Sequence, residues 1–237
     1  MCIRDRSQIT QVEKRAVIDA AMCAGAREVK LIEEPLAAAL GAGLPVEKPI
    51  GSMIIDIGGG TTDVAILSLG GTVYSRSIRT AGDEMDEAIQ RYLRRHFGMQ
   101  IGIYEAEKLK IRLGSALPSG RLELAKTSGT DVKTGLPLQA NVSNEVIRDA
   151  LSEPLSHIFS CIKSALENTN PEIAHDIMSQ GVILTGGGSL LNGLAERLHR
   201  ETGIPIHLAD EPTLSVARGV GVIANDVKGM SDLCLPH

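Results

Sequence analysis

IIDIGGGTTDVAIL, residues 54–67, decides how this chain is read. An apolar run ends in Asp56, three glycines follow, then two threonines and a second apolar run. Strand, glycine turn and strand make a hairpin suited to phosphate. Glycines remove the Cβ atoms that would keep an anion away from the backbone amides, and converging N–H groups then form an anion-binding nest. A carboxylate at the strand end, Asp56, can orient a hydrated Mg²⁺ beside the phosphates. Thr61 and Thr62 place hydroxyls beside the turn. The plainer reading, a tight hairpin that merely needs glycine, fits the same letters.

A second triplet lies in GVILTGGGSLLNGLAERL, residues 181–198. There an apolar strand ends at Thr185, and Gly186, Gly187 and Gly188 lead into an amphipathic helix expected to open at Ser189. Glycines running into a helix N-terminus again suit the polar parts of a nucleotide. The pattern is neither the GxGxxG dinucleotide fingerprint nor a GxxxxGK[ST] P-loop.

Bulk properties narrow the class. The 237 residues can bury a sizeable core. The net charge is −5, which argues against a general nucleic-acid grip. Aromatic content is 2 %, so the core is aliphatic and base stacking on aromatic platforms is not expected. No apolar run approaches the roughly 20 residues that span a bilayer, and no secretory signal pattern opens the chain. Cys2, Cys23, Cys161 and Cys234 form no CxxC pair, which points to reduced thiols in a cytoplasm rather than to zinc.

Outward from the hairpin, periodicity and turn residues give the other elements. Thr10 and Glu13 form a capping box for a helix over 9–24, with Val12, Ala16, Val17, Ala20 and Cys23 on one face. Residues 29–32 read as a strand and 33–43 as a helix with Pro35 in its first turn. Gly70-Gly71 turns the chain into a third strand, completing a meander. Helices are expected over 83–97 (Met85, Ile89, Leu93 and Phe97 inward) and 105–116. Residues 121–142 have strand composition, with turns at SGTD (128–131) and KTGLP (133–137). A helix over 144–168 carries Pro154, which predicts a kink or a boundary. Pro171 opens a short helix, a helix ends at Gly203, PIHLA (205–209) is a strand, and 213–225 is a closing helix. The sum is a mixed α/β domain with a small β-rich insert.

These segments together resemble the MreB family of bacterial actin-like proteins. DIGGGTTDVAILSLGGTVYSRSIRTAGDEMDEAI, the preceding EEPLAAALGAGLPV and the later TGGGSLLNGLAERL carry the likeness, over about residues 9–224. The resemblance implies an actin-like ATPase fold: ribonuclease-H-like halves with a mixed sheet and flanking helices, a small α+β insert, and ATP with Mg²⁺ in the cleft. It implies that residues 1–48 are a remnant of the first large subdomain. Residues 49–80 with 143–212 would form the second, 81–142 its insert, and 213–237 a closing helix and tail returning to the first.

Roles are implied likewise. Gly58, Gly59 and Gly60 would present amides to the phosphates, Asp56 would hold Mg²⁺ through water, and Thr61 would sense the γ-phosphate. Glu34 would orient the attacking water; without the resemblance, Glu33 and Glu34 read as ordinary acids of a helix start. Glu107, Lys108 and Lys110 would lie on the adenosine side, where Glu107 and Lys110 also fit an exposed ion pair. Gly186, Gly187, Gly188 and Ser189 would form the opposing loop.

The implied activity is ATP hydrolysis coupled to filament assembly beneath the membrane. The implied partners are further copies in paired protofilaments, the elongation proteins RodZ, MreC and MreD, and the inner-membrane surface. An Hsp70-type chaperone ATPase domain and a small-molecule kinase of the same superfamily are the alternatives. Two departures are visible. No Asp–Gly-rich hairpin precedes residue 56, so the first half is expected to be incomplete and ATP binding by the chain alone poor. The opening MCIRDR does not match the strand that relatives have there, so residues 1–6 are expected to be non-native.

Overall fold

The computed structural model describes residues 2–5, 10–226 and 229–235, the first four as backbone. Its chain order is β1 (Cys2–Asp5), α1 (Gln11–Cys23), β2 (Lys30–Glu33), α2 (Glu34–Gly41), β3 (Ser52–Ile57), β4 (Thr62–Ser68) and β5 (Gly71–Ile78). Then come α3 (Gly82–Phe97), β6 (Met99–Gln100), α4 (Ile103–Leu113), β7 (Leu124–Asp131) and β8 (Pro137–Ser143). The last elements are α5 (Asn144–Glu167), α6 (Pro171–Gln180), β9 (Val182–Thr185), α7 (Leu194–Thr202), β10 (Ile206–Leu208) and α8 (Ser215–Asn225).

The centre is a five-stranded mixed sheet in the order β10-β9-β3-β4-β5. β3, β4 and β5 are the expected antiparallel meander, and β9 runs parallel to β3. Leu69 and Gly70, both at positive φ, make the tight turn between β4 and β5. β3 is buried at every position, because helices cover both faces of the sheet. Met53, Ile55, Ile57, Val64 and Ile66 pack with α3, α5 and α6. Ile54, Ala65 and Leu67 pack on the other side with α2 and α8. The side-chain period of two along a strand sorts these residues between the two layers.

α2 and α8 cross at glycine. A Cβ on Gly41 would sit 1.7 Å from the Ser215 carbonyl oxygen, and one on Gly219 would sit 1.8 Å from that of Ala37. The small residues of the closing helix therefore serve backbone-to-backbone packing. Beyond α8, the Leu235 amide donates to the Leu31 carbonyl of β2. Outside the central sheet, β6, β7 and β8 form a second, antiparallel sheet.

Several expectations are corrected. Cys2–Asp5 pairs in parallel with Lys30–Glu33 despite its charged composition; residues 1 and 6 lie outside the described residues. The Thr10–Glu13 capping box forms, but Val12, Val17 and Cys23 are exposed and α1 turns Ile18 and Ala21 inward. Phe97 is partly exposed, unlike Met85, Ile89 and Leu93. SGTD lies inside β7: a Cβ on Gly129 would meet the Gln100 carbonyl oxygen at 2.4 Å. That glycine permits close approach of β6 rather than a turn. α5 runs unbroken through the buried Pro154. The second glycine triplet enters a 3-10 turn (Gly187–Leu190), and α7 begins only at Leu194 after the αL residue Gly193.

Candidate functional site

The two glycine corners meet because their strands are neighbours. Asp56, near the end of β3, is in register with Thr185, the last residue of β9. The turns that follow therefore leave the sheet side by side. The contact is tight: a Cβ on Gly186 would sit 2.3 Å from Asp56 Oδ1, and one on Gly188 2.4 Å from Ile57 Cγ2. Gly186 also needs φ +83°, a region costly for any residue with a Cβ.

One cavity of about 620 Å³ lies between the corners, a size typical of small-ligand sites. Glu34, Asp56, Gly58, Gly59, Gly60, Thr61, Gly186 and Gly187 line it, together with Pro212, Thr213 and the α8 residues Val216, Ala217 and Val220. A second, more apolar cavity of about 280 Å³ is lined by Met85, Lys110, Ile111, Gly114, Gly187, Gly188, Leu190, Leu191 and Asn192. Gly187 belongs to both, so the two are halves of one cleft, polar at one end and apolar at the other. α4 reaches the apolar half because Gly114 lacks a side chain: a Cβ there would lie 2.9 Å from Leu191 Cδ1.

At the first corner the Gly58 amide is already used, donating to the Thr61 carbonyl at 2.9 Å. That bond closes the turn and leaves Gly59 and Gly60 as its exposed crest. α3 supports the crest from behind, the Gly82 and Asp83 amides donating to the carbonyls of Gly58 and Gly59 at 3.1 and 2.8 Å. Carbonyls turned toward α3 leave the opposite edge of those peptides toward the cleft. Thr61 lines the cavity. Thr62 does not: it is fully buried and its hydroxyl donates to the Thr80 carbonyl at 2.7 Å. Strand alternation turns neighbouring threonines to opposite faces.

Glu33 and Glu34 also separate. Glu33 accepts from Thr72 Oγ1 at 2.6 Å, while Glu34, at the start of α2, lines the cavity. On α4, Glu107 and Lys108 are exposed and line neither cavity. Lys108 lies 4.0 Å from Glu105. Lys110 makes no pair with Glu107; its ammonium donates to Asp86 Oδ2 and to the Gly82 carbonyl, both at 2.8 Å. At the second corner, the Gly186 amide donates to the Pro212 carbonyl and Ser189 Oγ turns back to the Gly186 carbonyl. Ser189 therefore shapes the loop from within. Reading the sequence missed Pro212, Thr213 and the α8 wall, as well as Met85, Ile111, Gly114, Leu190, Leu191 and Asn192. Ile111 carried a usable signal, an apolar residue on the outer face of an amphipathic helix.

Among the described residues, the charged side chains that line the polar half of the cleft are those of Glu34 and Asp56. Asp83 lies behind the crest, with a carboxylate oxygen 3.3 Å from where a Gly59 Cβ would be. Carboxylates of this kind suit a polyphosphate that carries a divalent cation. Among the described residues no group of three or more His, Cys, Asp or Glu could by itself hold a metal. A hydrated ion, brought with the ligand and held through water by Asp56, fits that donor set.

Comparison with known proteins fixes the lineage. The family model of the MreB/Mbl protein matches residues 1–232. This chain belongs to the MreB/Mbl family. Over 212 residues it is 50 % identical to the cell shape-determining protein MreB of Escherichia coli K12, covering 90 % of this chain and 61 % of that one. Over 221 residues it is 42 % identical to the cell shape-determining protein Mbl of Bacillus subtilis 168, covering 93 % and 66 %. The chain thus spans about three fifths to two thirds of the length of these MreB and Mbl relatives. The crystal structure of MreB5 of Spiroplasma citri bound to ADP superposes with a TM-score of 0.92 at 37 % identity, over 96 % of this chain and 69 % of that one. The AMPPNP-bound form of that protein gives 0.93 over 96 % and 68 %. The MamK double helical filament gives 0.77 at 25 % identity, over 95 % and 68 %. The fold of this MreB/Mbl chain is accordingly actin-like. The family match includes residue 1, so the charged opening is no obstacle to membership.

Proposed function

We propose that this chain supplies one side of an ATP·Mg²⁺ cleft in an actin-like ATPase that assembles into filaments and directs cell shape. The carrying observation is the convergence of Asp56, the Gly59-Gly60 crest, Gly187 and Glu34 on one cavity. The nucleotides bound by the MreB5 neighbour and the filament formed by MamK support the reading.

In this reading the crest amides of Gly59 and Gly60 receive the terminal phosphates. Asp56 orients the hydrated metal, whose chemistry is to neutralise charge on the phosphoryl oxygens. Thr61 lies where the γ-phosphate would end and reports its loss through its hydroxyl. Gly187 and Gly188 back the ribose, and Met85, Ile111 and Leu190 close on the base. Glu34 accepts a hydrogen bond from the attacking water and holds it in line. Phosphoryl transfer is mainly positioning and charge stabilisation, so one well-placed carboxylate is enough.

Further copies of the chain are the proposed first partner. RodZ, MreC, MreD and the inner-membrane surface, met from the cytoplasmic side, are proposed as the assembly context. No described helix is long and apolar enough to cross a membrane.

The test joins this chain to the N-terminal third of an MreB relative and measures ATP binding, phosphate release and ATP-dependent pelleting. Glu34→Gln should lower phosphate release by about 100-fold, the low end for a positioned base, and leave ATP affinity unchanged. Undiminished turnover would remove Glu34 from the mechanism. Phosphorylation of an added hydroxyl acceptor, with no filaments, would favour the kinase reading.

A further inference from the structure

The pair Asp86–Lys110 lies at the wall of the apolar half of the cleft, where Lys110 lines it, and the function just proposed gives Asp86 no role. It is buried, with side-chain exposures of 5 % and 15 %. Lys110 walls the apolar half. Its ammonium donates to the Gly82 carbonyl, and the Gly82 and Asp83 amides in turn hold the carbonyls of Gly58 and Gly59. An unbroken polar chain thus runs from the base side to the phosphate crest: Asp86, Lys110, Gly82, Gly58. Gly82 is a close-contact position, since a Cβ there would lie 3.3 Å from the Gly58 carbonyl oxygen and 3.5 Å from Lys110 Nζ.

Asp86 is only half used. Oδ2 takes the lysine, while the buried Oδ1 has no hydrogen-bond partner. A lock built only for stability would satisfy both oxygens, because an unpaired buried acceptor carries a desolvation cost. Burial pushes the Asp86 carboxyl above its usual range, Lys110 draws it back, and Glu107 and Asp83 push it up again.

We propose that Asp86 is a positioning residue: it parks the Lys110 ammonium on the Gly82 carbonyl and so ties the base-side wall of the cleft to the Gly58–Gly60 crest. This deepens the nucleotide reading and rests on it for the identity of the ligand. A ligand that draws Lys110 toward the apolar half would loosen Gly82 and be felt at the crest. Coupling then travels through one two-position side chain, a defined physical element.

The test is amide hydrogen exchange, resolved by residue, on the 237-residue chain without nucleotide. Asp86→Asn and Lys110→Met should each speed exchange at Gly82 and Asp83 by about tenfold through local opening, while Ile158 and Ile162 in α5 keep their rates. Unchanged rates at Gly82 and Asp83 would overturn the proposal. So would an equal rise at every amide, which is what a merely structural pair gives. Should Asp86→Asn fail to fold, the double variant Asp86→Leu with Lys110→Met replaces the pair by apolar side chains, a substitution proteins often tolerate. It should fold and still show fast exchange at Gly82 and Asp83. A second arm adds adenosine, which lacks phosphates, to the protein completed with the N-terminal third of an MreB relative. Without substitution it should shift the Gly59 and Gly60 amide resonances, and in Asp86→Asn, which keeps Lys110, it should bind without moving them. Adenosine moving the crest equally in both would overturn the coupling. Adenosine binding to neither would overturn the nucleotide reading, while the exchange arm still decides the role of Asp86.

Discussion

The two glycine triplets are spelled alike and are used for opposite reasons. At Gly58–Gly60 a side chain would find room: the nearest atoms to a Cβ on Gly59 or Gly60 are Asp83 carboxylate oxygens at 3.3 and 3.8 Å. Glycine there leaves backbone amides uncovered. At Gly186 and Gly188 a side chain would strike Asp56 and Ile57 at under 2.5 Å. Glycine there lets a loop lie flat against the neighbouring strand. The first corner is open and the second is pressed against it. A glycine triplet in a sequence therefore names a close approach without saying what approaches.

The comparison breaks first at Gly186. Gly186→Ala places a Cβ against Asp56 Oδ1 and forces a side chain into φ +83°. Overpacking costs about 1–3 kcal/mol, and a strained left-handed residue adds about 1–3 kcal/mol more. The variant should lose a large share of the roughly 5–15 kcal/mol stability of an ordinary domain, read as a lowered urea midpoint. A variant with an unchanged midpoint would mean that the corners are not pressed together.

Gly59→Ala is the contrasting arm. Its φ is not left-handed and its nearest neighbour is the end of the Asp83 side chain, which can swing aside. The change in stability should stay within about 0.5 kcal/mol, as for surface substitutions generally. Nucleotide affinity, in the same N-terminally completed protein as the Glu34 test, should fall about tenfold or more. A methyl at the crest interrupts the amide surface that a phosphate needs. Equal losses of stability at Gly59 and Gly186 would erase the distinction between the corners.

Much of this was legible because it is local. The apolar run at Ile54–Ile57, the Thr10–Glu13 box and the turn after Ser68 are each decided by a few adjacent residues. What was missed is non-local. Lys110 was set beside Glu107 by helical spacing, yet its partner is Asp86 on another helix, which no spacing rule reaches. Gly129 was read as a turn because the strand it accommodates, β6, lies 29 residues earlier at Gln100. The α8 wall of the cleft was invisible for a similar reason, since Val216, Ala217 and Val220 reach it only through the Gly41–Gly219 crossing. The start of α7 was misplaced although Asn192-Gly193 offered a break, because the apolar letters Leu190 and Leu191 continued the apparent helix through it.

The finest division lies inside the first corner, between adjacent threonines. Thr61 lines the cavity and Thr62 is buried with its hydroxyl on the Thr80 carbonyl. Valine is nearly isosteric with threonine and removes only the hydroxyl. Thr62→Val leaves the Thr80 carbonyl without that donor and should cost about 1 kcal/mol of stability, the usual net worth of one hydrogen bond. Nucleotide affinity should not change. Thr61→Val should leave the unfolding midpoint within about 0.5 kcal/mol of the original, as expected away from buried partners, and should slow phosphate release. Thermal unfolding and phosphate release on the two variants, both in the completed protein, decide the matter. If Thr62→Val slows release while Thr61→Val only destabilises, the strand alternation through the hairpin has been assigned to the wrong faces. The polar wall of the cleft would then have to be redrawn one residue along.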